Sequence, residues 1–218
     1  MGCSRAISDG RPLLYDIVLA KSSGEAYAYC LQPMRIIGGT ARGRRLWAPR
    51  GLQTRPTSGY LREVLFDLLA QEVCGRSFLD LYAGTGAVGI EAISRGATRA
   101  VFVEQDRSAL VMLRRNLEVS GFRDRAEVIP LEVLPFLRRA ALRSSRFDVI
   151  FMDPPYQRSG ALAALSLAAA TRVLAPSGMV ILEQSLKAQP ISSPDGLARV
   201  REVRHGDSIL QLYRQEAA

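Results

Sequence analysis

Histidine is almost missing from this chain of 218 residues: His205 is the only one. A Ser-His-Asp or Cys-His mechanism would have to rest on that residue, which falls in an expected hairpin turn. Cysteine is scarce too. Cys3, Cys30 and Cys74 are widely spaced and form no metal-binding pattern with His205, so neither a metal site nor a disulfide framework is expected. Lysine is reduced to Lys21 and Lys187, so arginine carries nearly all of the basic charge behind a net +8. No apolar run approaches the ~18–20 residues that span a bilayer. Residues 1–33 lack the basic-then-apolar layout of a signal peptide, and Ala6 stands where a myristoylation signal needs Ser or Thr. A soluble, cytoplasmic chain is therefore expected. What is present is 48% hydrophobic, enough for one α/β domain of this length to bury a core.

Acids are absent from one whole segment. Between Met34 and Arg62 there are seven arginines (35, 42, 44, 45, 50, 55 and 62) and no Asp or Glu. Such a patch can neutralise phosphates and makes affinity salt-dependent. Ile36-Ile-Gly-Gly and Leu46-Trp47 lie within it, so a small structured appendage is expected instead of a loose tail. Arg35, Arg42, Arg44, Arg45, Arg55 and Arg62 are the candidate nucleic-acid contacts.

The chemistry centres on Asp153-Pro-Pro-Tyr156. It ends an apolar run, Phe147–Met152, that reads as a buried strand. Proline lacks an N–H and fixes φ, so the turn is stiff and its carbonyls point outward. A carboxylate, prolyl carbonyls and a flat ring suit a planar base with an exocyclic amine. Asp153 and the carbonyls of Pro154 and Pro155 accept from the amine while the base stacks on Tyr156. Those bonds draw the nitrogen lone pair out of conjugation and aim it at an electrophile. A strand-ending turn with a capping aspartate would account for the same four residues, but a matching half lies upstream.

That half is Phe78-Leu-Asp80-Leu-Tyr-Ala-Gly84-Thr-Gly86-Ala-Val-Gly89. An apolar strand runs into a glycine-rich turn that opens a helix, and the glycines fit G-x-G-x-x-G. The next apolar strand ends in Glu104, 20 residues after Gly84, where an acid can accept from ribose hydroxyls. This much suits NAD and S-adenosylmethionine equally. Asp80 before the glycines tips the balance, since the methionine ammonium needs an acceptor and a dinucleotide site usually has a small or apolar residue there. Asp153–Tyr156 has no obvious role in hydride transfer. The candidate cofactor residues are Asp80, Tyr82, Ala83, Gly84, Thr85, Gly86, Glu104, Gln105 and Glu132, for S-adenosyl-L-methionine.

Residues 1–33 are weakly periodic and read as an extension of unknown role, with Met34 a candidate for the true start. Residues 34–57 read as the basic appendage and 58–218 as the catalytic domain. Thr57 or Ser58 can cap a helix with the stripe Leu61, Val64, Leu65, Leu68, Leu69. Strands are predicted near 78–82, 100–104, 126–130, 147–152 and 178–183. Helices are predicted near 87–95, 107–120, 132–143 and 159–174, with Gly96, Gly121 and Gly178 as C-cap or turn residues. Period-two segments 199–204 and 208–213 around His205-Gly-Asp207 read as a closing hairpin. The prediction is α/β: a Rossmann-like class I methyltransferase fold with a mostly parallel seven-stranded sheet, one antiparallel strand closing it, and the basic appendage. Asp80–Gly86, Glu104 and Asp153–Tyr156 all fall at carboxyl ends of strands, where such sheets bind ligands.

Met34-Arg-Ile-Ile-Gly-Gly-Thr-Ala-Arg-Gly-Arg-Arg-Leu46, Thr54-Arg-Pro-Thr57, Arg62-Glu63, the Leu79–Gly86 turn and Asp153–Tyr156 occur in the order typical of RsmD-type ribosomal RNA methyltransferases. The chain resembles that family from residue 34 to about 214, including Gly206-Asp207. Gly59-Tyr60 stands where the family usually has Asp-Arg, and Leu131-Glu132-Val133 where it often has Gly-Asp-Ala. The resemblance implies methylation of guanine N2 in small-subunit 16S ribosomal RNA, within an assembling or assembled subunit; a monomer is expected. Three rivals are weaker. A DNA amine methyltransferase usually needs a target-recognition domain for which the chain lacks room. A dehydrogenase leaves Asp153–Tyr156 unexplained, and a silent RNA-binding protein has no reason to carry both motifs.

Overall fold

The computed structural model describes residues 17–22, 25–49, 59–143, 145–155, 158–188 and 191–216. Two sheets are present among them. A small antiparallel sheet joins β1 (Ile17–Ser22), β2 (Glu25–Arg35) and β3 (Arg45–Pro49). Strand β2 runs through the expected boundary at residue 33, so residues 25–33 and the start of the basic segment share one strand.

The larger sheet is built from β4 (Ser77–Leu81), β5 (Arg99–Val103), β6 (Ala126–Ile129), β7 (Phe147–Met152), β8 (Leu174–Ser185), β9 (Leu197–His205) and β10 (Ser208–Gln215). Its order is β6-β5-β4-β7-β8-β10-β9, and the neighbours from β6 to β8 are all parallel. Only β10 runs against the rest, pairing with both β8 and β9. The predicted single antiparallel strand is thus present, but it lies second from the edge instead of closing the sheet. Composition explains the placement. Leu210, Leu212 and Tyr213 of β10 are buried, whereas β9 carries exposed Arg199, Arg201 and Arg204, which suit an unpaired edge. The strand predicted from residue 178 begins at Leu174, because the β7–β8 register jumps from Phe147↔Leu174 to Val149↔Met179 and the chain between bulges.

Helices α1 (Gly59–Leu69), α2 (Ala87–Ser94) and α3 (Arg107–Ser120) cover one face, and α4 (Val133–Leu142) and α5 (Arg158–Ala170) the other. Side chains alternate across the pleat. Phe78, Phe102, Phe151 and Ile181 join the core under α1–α3, while Leu79, Leu81, Val101, Ile150 and Met152 join the core under α4 and α5. Helix α3 matches its predicted span and ends on Gly121 in the left-handed region. Helix α1 buries Leu61, Arg62, Leu65, Phe66 and Leu69, a stripe rotated from the predicted one. The proposed caps Thr57 and Ser58 lie outside the described residues. No helix among the described residues is long and apolar enough to cross a membrane.

The basic segment is docked onto the catalytic domain. Ile36 and Leu46 are buried in the core under α1–α3. Thr40 N–H donates to the Ser94 carbonyl (2.7 Å) and Ala41 N–H to Ser94 Oγ (3.0 Å), satisfying the carboxyl end of α2. This approach requires glycine: Gly39 has φ +73°, and a Cβ there would sit 1.8 Å from the Ser94 carbonyl oxygen. Further along, Asn116 of α3 accepts from Trp47 N–H (2.8 Å) and donates to the carbonyls of Trp47 and Thr85 (2.9 Å each). One buried amide therefore ties strand β3 to the glycine-rich turn.

Candidate active site

Registers across the sheet place Glu104, Tyr82 and Asp153, together with Glu183, in a single transverse row. Leu81 pairs with Val103 and Met152, and Met152 pairs with Leu182. The residues that follow, Glu104, Tyr82 and Asp153, therefore emerge side by side at the carboxyl ends of β5, β4 and β7, level with Glu183 near the end of β8. Glu132 stands beyond the end of β6 as the N-cap of α4, exposed and making no side-chain capping bond.

The glycine-rich turn is conformationally demanding. Tyr82, Gly84 and Gly86 have φ of 61°, 55° and 81°, and a left-handed tyrosine marks strain held in place by its surroundings. Ala83 N–H donates to the Val103 carbonyl (3.0 Å), and Gly86 N–H to the Ala83 carbonyl (2.8 Å). Thr85 is held through its carbonyl by Asn116. Glu104 accepts from Gly84 N–H at Oε2 (2.8 Å) and from Gln105 and Asp106 N–H at Oε1 (2.8 and 2.7 Å). A carboxylate offers about four acceptor positions, so three amides fix it and one stays open. Gln105 is exposed beside it. A Cβ built on Gly84 meets no atom within 4 Å, so the top of the turn is clear for a ligand.

Asp80 has a supporting place instead of a lining one. It is 1% exposed and accepts from Gly89 N–H (2.9 Å), at the N-terminus of α2. Burial pushes its pKa up to about 7, against the Gly89 hydrogen bond and with a further push from Glu104. Asp153, half-buried at the end of β7, is raised well above the usual carboxylate range by burial first, then by Glu183 and Asp80. Carboxyl groups this close cannot all ionise cheaply. Pro154 is half-buried and Pro155 exposed, and Tyr156 lies outside the described residues.

Glycine at position 89 is imposed by packing. An added Cβ would lie 2.4 Å from Phe102 Cε1 and 3.1 Å from Asp80 Oδ2. Gly89→Ala is expected to cost about 1–3 kcal/mol through overpacking and to weaken cofactor binding by displacing Asp80. Urea unfolding and calorimetric titration with S-adenosylhomocysteine check both effects.

The candidate phosphate contacts divide. Arg42 and Arg45 are exposed, with no side-chain partner among the described residues. Arg35 and Arg44 are exposed but each gives one N–H to a backbone carbonyl, of Gly43 (2.9 Å) and Ser120 (2.7 Å). Arg55 lies outside the described residues. Arg62 is corrected: it is 2% exposed, 3.7 Å from Glu91, and donates to the Arg35 carbonyl (3.1 Å). A guanidinium buried there cannot reach a phosphate.

Two polar residues at the heart of this arrangement were not singled out from sequence. Glu183 follows the apolar run Met179–Leu182 as Asp153 follows Phe147–Met152, which is the available signal. Asn116 sits on the buried stripe of α3, where a polar side chain needs partners.

A parallel sheet with one antiparallel insertion, a glycine-rich turn after β4 and an acid after the neighbouring strand β5 define the class I methyltransferase fold. Residues 34–214 match the family model described as conserved hypothetical protein 95. The ribosomal RNA small subunit methyltransferase D of Escherichia coli (strain K12) is 33% identical over 184 residues, covering 84% of this chain and 91% of that protein. Its counterpart of the same name in Haemophilus influenzae is 33% identical over 182 residues, covering 83% and 93%. The structure of the Escherichia coli yhhF protein superposes with a TM-score of 0.76 at 30% identity, over 86% of this chain and 100% of that one. The chain belongs to this family, the RsmD-type methyltransferases that its motifs resemble.

Proposed function

We propose that this protein transfers a methyl group to the exocyclic N2 amine of a guanine in 16S ribosomal RNA, acting as a monomer on a small subunit or its assembly intermediate. The observation that carries the reading is the position of Asp153-Pro154-Pro155 at the end of the central strand β7, beside Tyr82 and the glycine-rich turn. The names of the relatives at 33% identity support the RNA substrate.

S-adenosylmethionine, when bound, supplies an electrophilic methyl group. The turn from Tyr82 to Gly86 would hold its methionine end, with Asp80 fixing the turn from below. The open acceptor position of Glu104 suits a ribose hydroxyl, with Gln105 alongside, and Glu132 is free to accept from an adenine amine. Ionised Asp153 and the prolyl carbonyls accept the guanine N–H bonds, orient the nitrogen and raise its nucleophilicity. Tyr156 would stack on the base. Methylation acidifies the nitrogen, so its proton leaves afterwards to Asp153 or water, and no general base of matched pKa is needed beforehand. A paired guanine must first be unstacked.

The decisive experiment is transfer of a tritiated methyl group to small subunits, naked 16S RNA and duplex DNA. Label in DNA alone, or none in either RNA substrate, overturns the reading.

Arg42 and Arg45 carry the phosphate contacts in this reading. Each phosphate neutralised contributes about 0.7 to 0.9 to the log–log salt slope. The Arg42→Ala/Arg45→Ala double variant should flatten the slope by about 1.4 to 1.8 and leave S-adenosylhomocysteine affinity unchanged. Subunit binding at several salt concentrations checks this, and an unaltered slope would make the segment a solvated edge.

A further inference from the structure

An aromatic pair, exposed Tyr60 against half-buried His205, stands on the same rim as Asp153. Tyr60, in the first turn of α1, is 60% exposed, and its ring lies 4.3 Å from that of His205 at an interplanar angle of 30°. His205 ends β9 and pairs across the turn with Ser208 of β10. Ser208 Oγ donates to Glu183 Oε1 (3.2 Å), and Glu183 is the charge that acts most strongly on Asp153. A short chain of contacts thus leads from the catalytic carboxylate to the aromatic pair, all at the carboxyl ends of the parallel strands.

We propose that Tyr60, braced by His205, is a stacking platform for a nucleobase flanking the target guanine in unpaired RNA. This rests on the RNA-methylation reading and adds a substrate-positioning residue to it. The chemistry fits one base better than a protein or a bilayer. A single tyrosine ring with one flat face in solvent is too small an apolar area for either, and Gly206 and Asp207, which follow its partner His205, are exposed. Unpaired bases are commonly read by stacking on aromatic rings. Exposed Arg204, next to His205 and paired with Glu202 (3.1 Å), puts a cation beside the ring pair that suits a phosphate next to a stacked base. His205 holds the tyrosine ring in one orientation, which lowers the entropy lost when a base docks.

The test compares Tyr60→Ala, Tyr60→Phe and Tyr60→Trp. Losing a base–aromatic stack should raise KM for small subunits roughly 5- to 150-fold, with kcat, S-adenosylhomocysteine affinity and Tm close to wild type. Phe and Trp should restore KM, since both keep a flat face. Unpaired oligoribonucleotides carrying 2-aminopurine should show fluorescence quenched by wild type and not by Tyr60→Ala. An unchanged KM in Tyr60→Ala, or a fall in Tm that accompanies any loss, overturns the platform. If wild type methylates no RNA but still quenches 2-aminopurine, the enzymatic reading fails and the platform stands. If it methylates subunits while quenching is absent or identical in Tyr60→Ala, the platform fails alone.

Discussion

Asp153→Ala should lower methyl transfer by about 10²-fold or more, the usual cost of losing one preorganised charged group at a reacting centre. Affinity for S-adenosylhomocysteine should hardly move, because Asp153 follows β7 and the glycine-rich turn proposed to hold the cofactor follows β4. Single-turnover rates and calorimetric titration separate the two quantities. A variant with near-normal turnover would remove Asp153 from the mechanism. The pH profile carries a second signature. Burial, Glu183 and Asp80 hold the Asp153 pKa well above the usual range, and the protonated form cannot accept both amine hydrogens. The rate should therefore climb with pH through that raised pKa. Stability runs the other way. A carboxyl whose folded pKa exceeds its unfolded value of about 3.9 contributes stability fully below that unfolded value, and the contribution is lost as pH rises through the folded pKa. Asp153→Asn, inactive by this argument, should unfold at higher urea than wild type at neutral pH.

Glu91→Ala should be the most destabilising single change in the chain outside the hydrophobic core. Glu91 is fully buried and accepts from Ile37 N–H (2.8 Å), Gly38 N–H (2.7 Å) and Arg95 Nε (2.9 Å), with Arg62 at 3.7 Å. Its removal strands two amides and leaves Arg62 buried without its counter-ion. Breaking a buried ion pair from one side costs about 3–5 kcal/mol, a large share of a domain's total stability. Glu91→Gln keeps one acceptor and should lose less. Urea unfolding measures both, and a midpoint equal to wild type would show that the network contributes nothing.

The parallel half of the sheet and the turns at its carboxyl ends are legible in the sequence because their signals are local. Apolar runs of five or six residues ending in Asp153 or Glu104, and the spacing of Gly84, Gly86 and Gly89, carry their own geometry. The predicted span of α3 holds because Asp106 caps it (Ala109 N–H to Oδ1, 2.8 Å) and Gly121 ends it. The misses arose where charge was read without its three-dimensional setting. Arg62 was grouped with its basic neighbours, although its spacing to Phe66 and Leu69 puts it on the buried stripe of α1. Glu91 sits in a helix whose other residues are all apolar or small, which is itself a sign that a partner must come from elsewhere. Strands β1 and β2 show no hydrophobic alternation: β1 is a short apolar run, Ile17–Ala20, ending in Lys21-Ser22, and in β2 small alanines alternate with tyrosines and Pro33 lies within the strand. The edge position of β9 depends on pairing with a later strand, which no local pattern encodes.

The way residues 34–49 sit on α2 and α3 bears on how such an enzyme can be re-engineered. In chain order the basic segment looks like a cassette that could be exchanged to redirect the enzyme to another nucleic acid. Its backbone donors end on Glu91, Ser94 and Asn116, and Arg44 ends on the Ser120 carbonyl. A graft would leave those four positions facing the wrong backbone on the donor scaffold, and the cofactor turn would lose the Asn116 bond to Thr85 wherever the helix shifted to compensate. The transferable unit is the segment together with the two helices that receive it.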